Sequence, residues 1–278
     1  MFQYAFARAL SPDRMVLLDL SFLEGNNIST ASFTSRTYRL GIFNNINAQR
    51  FTGFQNRVVN RGGLYYRLLK KMIYPGIKNI NDQNAALHQI SEFKNDQVLY
   101  ADGYFQNEKY FGHIRALLLH EFRLPDVNGK SARLMDDIKA CNNAVAVHVR
   151  RGDYLKPGVS AYHGVLPLAY YKNAVALIER SVAGAHYFIF SDDMDWCVKN
   201  MTFLTKATFT NTDGIDWADL ALMSSCRHQV IANSSYSWWA AWLNQRTDKM
   251  VIAPEKWFAD KQSMELAGDI VPDQWIRI

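Results

Sequence analysis

A histidine, two adjacent arginines and an aspartate stand within the run His148-Val-Arg150-Arg151-Gly-Asp153. Guanidinium groups pair with phosphate oxygens in bidentate fashion, so this run could hold an anion, with a diphosphate as the natural one. The residues before it, Val145-Ala-Val147, are apolar and β-branched, as in a buried strand. A parallel strand delivers its following loop to the carboxyl edge of the sheet, where open α/β sheets bind ligands. Two guanidinium groups at such an edge would be hard to tolerate without an anion. The alternative is a surface ion-pair site. His148 precedes Arg150 by two residues and so shares its side of an extended chain.

A second run, Val230-Ile-Ala-Asn-Ser234-Ser235-Tyr236-Ser-Trp-Trp239, takes a short apolar strand through small polar residues into an aromatic helix. Free N–H groups and the helix dipole near Ser234, Ser235 and Tyr236 would make a phosphate cradle, and ordinary serine capping is the alternative. Asp216 is expected to cap the helix that follows it. Asp219, three residues on, could accept two hydrogen bonds from a guanine edge or could be a dipole-stabilised first-turn carboxylate. Phe190-Ser-Asp192-Asp193-Met-Asp195 has an Asp-X-Asp spacing that could hold a divalent ion on a diphosphate. One site rarely needs both a cation and arginines, so Asp193 and Asp195 read better as first-turn carboxylates of the next helix. No Gly-X-Ser-X-Gly elbow, Walker loop, His-Glu-X-X-His or Gly-X-Gly-X-X-Gly is present, which weakens hydrolase, nucleoside triphosphatase, metalloprotease and dinucleotide oxidoreductase readings.

His148-Val-Arg150-Arg151-Gly-Asp153 resembles the His-X-Arg-Arg-X-Asp motif of the α1,2-, α1,6- and protein O-fucosyltransferases. Phe190-Ser-Asp-Asp resembles their second motif, and Asp219 through Ser237 their third. With Met1-Phe-Gln-Tyr-Ala-Phe-Ala-Arg-Ala-Leu at the front and Trp238-Trp239-Ala-Ala-Trp242-Leu near the end, the chain is similar to the bacterial α1,2-fucosyltransferases of glycosyltransferase family 11 over nearly its whole length. The resemblance implies a GT-B fold of two Rossmann-type domains, with the donor bound in the C-terminal half. Relatives carry a Gly-Leu-Gly-Asn-Gln turn directly before the Met-Phe-Gln-Tyr helix, so an N-terminal domain lacking its first strand and glycine turn is expected here. The implied reaction is inverting, metal-independent transfer of L-fucose from GDP-β-L-fucose to the 2-hydroxyl of a terminal galactose in a glycan. No cofactor is implied. Arg150 would hold the diphosphate, His148 and Asp219 the guanosine, and Ser234 and Ser235 the β-phosphate, with Arg151 as a supporting partner. Asp153, Asp102 and Glu108 are candidates for the acceptor's base. The alternatives are an inactive or truncated GDP-sugar-binding relative and a metal-dependent Asp-X-Asp glycosyltransferase.

The elements that must position these residues follow from pattern. Of 278 residues, 49% are hydrophobic and 21% charged, enough for one large or two ordinary packed domains. The net charge of +5 suits an anionic substrate, and the absence of a lysine-rich run argues against nucleic acid. Three cysteines without close spacing argue against a disulfide scaffold or thiolate zinc site and for a reducing cytoplasm. No apolar stretch approaches a membrane span and no signal peptide is evident, which leaves peripheral docking at the inner face of a membrane open. Periodicity predicts a helix over 1–10, a strand over 15–19, loops and short elements over 25–63, a helix with a basic face over 64–73, a strand over 98–101 and a helix over 108–119. The turn-rich stretch Leu124–Lys130 separates an acceptor-side domain, 1–127, from a donor-binding domain, 128–278. In the latter, strands over 144–149, 186–190, 229–232 and 250–253 alternate with helices over 167–183, 193–199, 216–226 and 236–243. That alternation predicts a parallel, doubly wound α/β sheet.

Overall fold

The structure is a computed structural model that describes residues 1–30, 33–82, 98–212, 214, 216–260, 263–264 and 270–278. It divides into two compact units, Met1–Ser29 with Ser35–Arg123, and Thr30–Thr34 with Leu124–Ile278. The break after Arg123 falls at the start of the turn-rich stretch.

The N-terminal unit runs α1 (Phe2–Leu10), β1 (Val16–Leu18), α2 (Ser21–Gly25), β2 (Ala48–Arg50), α3 (Gly53–Asn60), α4 (Leu64–Ile73), β3 (Lys78–Ile80), β4 (Leu99–Ala101) and α5 (Arg115–Glu121). Among the described residues its strands form two separate parallel pairs, β1 with β2 and β3 with β4. Helix α1 is amphipathic, and its inner face carries both aromatic and ionic contacts. Phe6 stacks on Phe105 with ring centroids 3.9 Å apart. Phe105 has a φ of 50°, a conformation that its side chain disfavours. The Asp82 carboxylate holds that turn by accepting the N–H groups of Tyr104 and Phe105, each at 2.7 Å. Arg8 donates through Nη2 at 2.7 Å and through Nε at 3.0 Å to Glu121 at the end of α5, and both residues are buried. The Tyr4 hydroxyl donates to the same carboxylate at 2.8 Å, and burial followed by this bond pushes its pKa well above the ordinary tyrosine value.

The helix expected over 108–119 is broken. Residues Glu108–Tyr110 and Gly112–Ile114 are single 3₁₀ turns, and the α-helix begins only at Arg115. Asn107 caps the first turn by accepting the Lys109 N–H, and Phe111 is fully buried between the turns. Anchoring that ring in the core while Gly112 weakens helix propagation favours two tight turns over one continuous helix.

The C-terminal unit runs α6 (Gly129–Ala140), β5 (Ala144–Val149), α7 (Pro157–His163), α8 (Leu168–Ser181), β6 (His186–Ser191), α9 (Met194–Asn200), β7 (Ala207–Phe209), α10 (Asp216–Ser225), β8 (His228–Val230), α11 (Ser235–Leu243), β9 (Val251–Ala253) and β10 (Ile276–Arg277). Helix α6, unread in the sequence behind Asn128-Gly129, buries Ser131, Leu134 and Ile138 at helical spacing. Pro167 stands just before α8 rather than in its first turn. The sheet is six-stranded, in the order β10-β9-β8-β5-β6-β7, and every pairing is parallel. The chain winds from β5 outward through β6 and β7, then returns to the other side of β5 for β8, β9 and β10. The order therefore reverses between β5 and β8, and a doubly wound sheet opens its ligand crevice at such a reversal.

All six residues of β5 are buried, as a strand covered on both faces requires. Val145, Val147 and Val149 pack in one core cluster with Tyr170, Tyr171, Ala174, Val175 and Ile178 of α8 and Cys197 of α9. By strand alternation Ala144, Ala146 and His148 share the opposite face. The three cysteines are free thiols. No helix among the described residues is long and apolar enough to cross a membrane.

Candidate active site at the strand-order reversal

Strand β5 ends in His148 and Val149 and delivers the two arginines to the carboxyl edge of the sheet. Pairing with β6 puts Val149 opposite Ser191, so the residues after each strand emerge side by side. Arg150 and Arg151 thereby meet Asp192 and Asp193. Arg150 pairs through Nη1 with Asp192 at 2.9 Å and through Nη2 with Asp153 at 2.5 Å. Arg151 pairs through Nε with Asp193 at 3.1 Å, and its guanidinium lies 4.0 Å from the centroid of the Trp196 ring.

This corrects one sequence expectation. The two guanidinium charges do not depend on an external anion, because Asp153, Asp192 and Asp193 already meet them. It also defines the acidic run. Asp193 is the N-cap of α9 and accepts the Trp196 N–H at 3.2 Å, and Asp195 lies in the first turn. Asp192 is held twice, by Arg150 and by the Arg151 backbone N–H at 2.9 Å. Asp153 is bound to Arg150 three residues away through the 3₁₀ turn Asp153–Leu155. Gly152 makes the turn feasible. A Cβ there would stand 2.6 Å from Asp192 Oδ2.

Across the reversal, Ser234 is the N-cap of α11 and accepts the Tyr236 N–H at 3.4 Å. Ser234 is buried, whereas Ser235 is exposed at the first helical position. Capping, the alternative weighed for Ser234, is thus what its hydroxyl does, and the remaining first-turn N–H groups have no partner within the helix. The His148 and Tyr236 rings lie 5.8 Å apart between centroids. His148 is 6% exposed, and its buried Nδ1 has no hydrogen-bond partner among the described residues. Burial, and secondarily the Arg150 charge, pushes its pKa down to about 3. The imidazole is therefore neutral near pH 7 and has one nitrogen that can accept and one that can donate.

Asp219 is partly buried in the first turn of α10, with Oδ1 shielded from solvent. Because α10 leads into β8, it starts at the carboxyl edge of the sheet. The cap expected of the Asp216 side chain lies outside the described residues. Asp102 and Glu108 belong to the N-terminal unit.

A family model for glycosyl transferase family 11 matches residues 71–278. The chain belongs to glycosyltransferase family 11. It is 33% identical to the O-antigen biosynthesis glycosyltransferase WbnK of Escherichia coli, over all of this chain and 96% of that protein. An α-1,2-colitosyltransferase of Escherichia coli is 34% identical over 63% of this chain and 61% of its own length. The human galactoside α-(1,2)-fucosyltransferase 1 is 27% identical over 53% of this chain and 44% of its own length.

The family 11 enzyme has further residues at this edge that sequence reasoning passed over. Tyr154 donates its hydroxyl to the Asn233 carbonyl at 3.0 Å and stacks on His163 at 4.7 Å, which ties the turn after β5 to the turn after β8. The Asn233 amide donates to the carbonyls of His163, Gly164 and Trp257 at 2.8, 3.2 and 3.2 Å. An asparagine directly before a serine cap was the available signal. Trp196, the platform under Arg151, was signalled only by its position three residues after the capping Asp193.

Proposed function

We propose that this glycosyltransferase moves L-fucose from GDP-β-L-fucose to the 2-hydroxyl of a galactose-terminated glycan, with inversion and without a divalent ion. The observation that carries the reading is the position of Arg150. It lies at the end of β5, beside the sheet reversal, held by Asp153 and Asp192 at 2.5 and 2.9 Å. A guanidinium with five N–H donors, clamped by carboxylates, is a preorganised fork rather than a mobile charge.

In this reading the C1–O bond of fucose lengthens toward an oxocarbenium-like state while negative charge gathers on the departing GDP. Arg150 and the Ser235 N–H at the first position of α11, beside the Tyr236 N–H that Ser234 caps, meet that charge as it develops. His148, neutral and with Nδ1 available, and Asp219 contact the guanosine. Ser234 shapes the helix start, and Arg151, bound to Asp193 and Trp196, supports the edge. The acceptor hydroxyl attacks from the face opposite the leaving group and surrenders its proton to a carboxylate, for which Asp153 is the candidate at this edge. Because Asp192 and Asp193 are engaged by the arginines and a helix cap, the arginines take the part a metal would otherwise play. The fold proposed with this function is of the GT-B kind, with the N-terminal unit as the second Rossmann-type domain.

A colitosyl donor is the second reading, favoured by the relative named as an α-1,2-colitosyltransferase. Incubation of the chain with GDP-fucose and lactose, with and without EDTA, tests the first. Formation of 2′-fucosyllactose at an unchanged rate in EDTA is expected. Transfer only from a colitosyl donor would shift the assignment to the second reading, and transfer abolished by EDTA would end the metal-independent mechanism.

A further inference from the structure

Between Gly25 and Asn81 the sequence has nine Lys or Arg and no Asp or Glu. Against the chain's net charge of +5, that +9 leaves the remainder at −4. All nine cations belong to the N-terminal unit. Helix α4 lies within this segment, and its outer face is apolar. Leu64 is 75% exposed, Leu68 61% and Met72 73%, with Tyr65 beside them at 67%. Leu64, Leu68 and Met72 recur every four residues and so form one stripe. Arg67 and Lys71, three residues after Leu64 and Leu68, are exposed along one flank of it. The opposite face is turned inward: Tyr66, Leu69 and Lys70 are partly buried, and Lys70 reaches the Val59 carbonyl at 3.4 Å.

We propose that the outer face of α4 is a docking surface for an anionic lipid bilayer. A stripe of long apolar side chains bordered by cations is what an interfacial helix presents to the headgroup boundary. The apolar residues enter the acyl region while Arg67 and Lys71 meet lipid phosphates, and long basic side chains reach outward from a partly inserted helix. The other occupants fit less well. A second copy applied face to face would set Arg67 and Lys71 against their own kind, with no acidic residue anywhere on the helix to answer them. Nucleic acid would use the cations but gains nothing from exposed Leu64, Leu68 and Met72.

Flotation of the full chain with vesicles tests this. The chain is expected to float with phosphatidylcholine vesicles containing phosphatidylglycerol, to remain below with phosphatidylcholine alone, and to be released as salt rises. Two double variants separate the contributions. Leu68→Gln with Met72→Gln, and separately Arg67→Glu with Lys71→Glu, should each lower partitioning by roughly tenfold or more. All four positions are exposed, so both variants should keep the parent's unfolding midpoint. Wild-type chain that stays below with the anionic vesicles overturns the proposal. So does release by the charge variant alone with the apolar variant floating normally, because the surface would then be a general polyanion site. Binding to an RNA oligonucleotide in preference to the anionic vesicles would assign the face to nucleic acid instead.

Discussion

His148 at the end of β5 and Tyr236 in the first turn of α11 face each other across the point where strand order reverses, their ring centroids 5.8 Å apart. One comes from the motif with the arginines, the other from the helix that caps the far side of the crevice. The sheet brings them together because β8 pairs directly with β5, with Val147 opposite Val230. The buried imidazole is the more exacting of the two, since it is shielded from water with a nitrogen left to satisfy.

Its titration has a defined sign. The folded state holds the His148 pKa down to about 3, below the ordinary histidine value of 6.5. Between those values the unfolded chain binds the proton and the folded chain does not. Stability from this group is therefore complete above about pH 6.5 and is lost as pH falls toward 3, with a limiting slope of about 1.4 kcal/mol per pH unit. His228, also depressed by burial and by Arg227, acts in the same direction. Comparing denaturant midpoints of wild type and His148→Phe from pH 7 to pH 4 isolates the first. The variant should lose less stability on acidification and should bind GDP more weakly. Parallel pH profiles would show that His148 is already charged in the fold.

Arg150→Ala should leave a folded protein with transfer reduced by about 3 kcal/mol in barrier, roughly 150-fold, as for a lost oxyanion donor. Arg150→Lys should recover little. A single ammonium cannot span Asp153 and Asp192 as the guanidinium does through its two terminal nitrogens. Single-turnover rates at saturating donor, with circular dichroism to confirm folding, provide the check. A lysine variant at near wild-type rate would reduce Arg150 to a point charge.

Gly152 permits the close approach of the β5 and β6 loops. Its φ is negative, and the Asp192 carboxylate stands where a Cβ would have to go. Asp192 cannot swing aside cheaply because it also holds Arg150 and the Arg151 N–H. Gly152→Ala should cost about 1–3 kcal/mol of stability by overpacking. The steric part should disappear when Asp192→Ser is combined with it, so a double-mutant cycle should show coupling. Strict additivity in thermal unfolding would mean that the two positions do not touch.

The residues at this edge differ in how legible they are. Ala144–Val149 reads directly as a strand because covering both faces demands an unbroken apolar run, and residues 236–243 read as a helix because small polar residues lead into an aromatic run, one residue short of the observed Ser235–Leu243. The double arginine is equally plain. Its partners are less so: Asp192 comes opposite Arg150 only through the register of Val149 with Ser191, a pairing between segments 42 residues apart. Without that register the arginines look uncompensated. In the N-terminal unit the gap widens. Arg8 and Glu121 are 113 residues apart, and no spacing in the sequence pairs them. The helix expected over 108–119 failed for a local reason overridden by a distant one, the burial of Phe111.

That buried pair yields a stability prediction. Glu121→Gln keeps the shape of the side chain but leaves the Arg8 guanidinium buried without its countercharge. Breaking one partner of such a pair typically costs about 3–5 kcal/mol, far more than the pair itself contributes. Replacing Arg8 with Met and Glu121 with Leu together should cost much less than Glu121→Gln alone, with the Tyr4 hydroxyl the main loss. Urea unfolding of the variants decides it; a Glu121→Gln midpoint equal to the parent's would mean that Arg8 is adequately served by the Ser11 and Arg14 carbonyls.

Asn233 offers a test of how the crevice is held open in one shape. Its Nδ2 donates to three backbone carbonyls, those of His163, Gly164 and Trp257, while its backbone carbonyl accepts from the Tyr154 hydroxyl. The side chain therefore fastens the loops beyond α7 and β9 to the residue that immediately precedes the α11 cap. Asn233→Ala leaves those carbonyls without this donor and should cost about 1–3 kcal/mol. Asn233→Asp should be worse than alanine, because it turns a carboxylate toward the carbonyl oxygens at nearly unchanged size. Since Asn233 positions rather than reacts, the effect on transfer should appear as weaker donor binding through a displaced Ser234–Tyr236 turn. GDP affinity should fall together with the unfolding midpoint, most steeply for aspartate. Aspartate tolerated better than alanine would reverse the donor assignment at this side chain and detach Asn233 from the shape of the phosphate-facing turn.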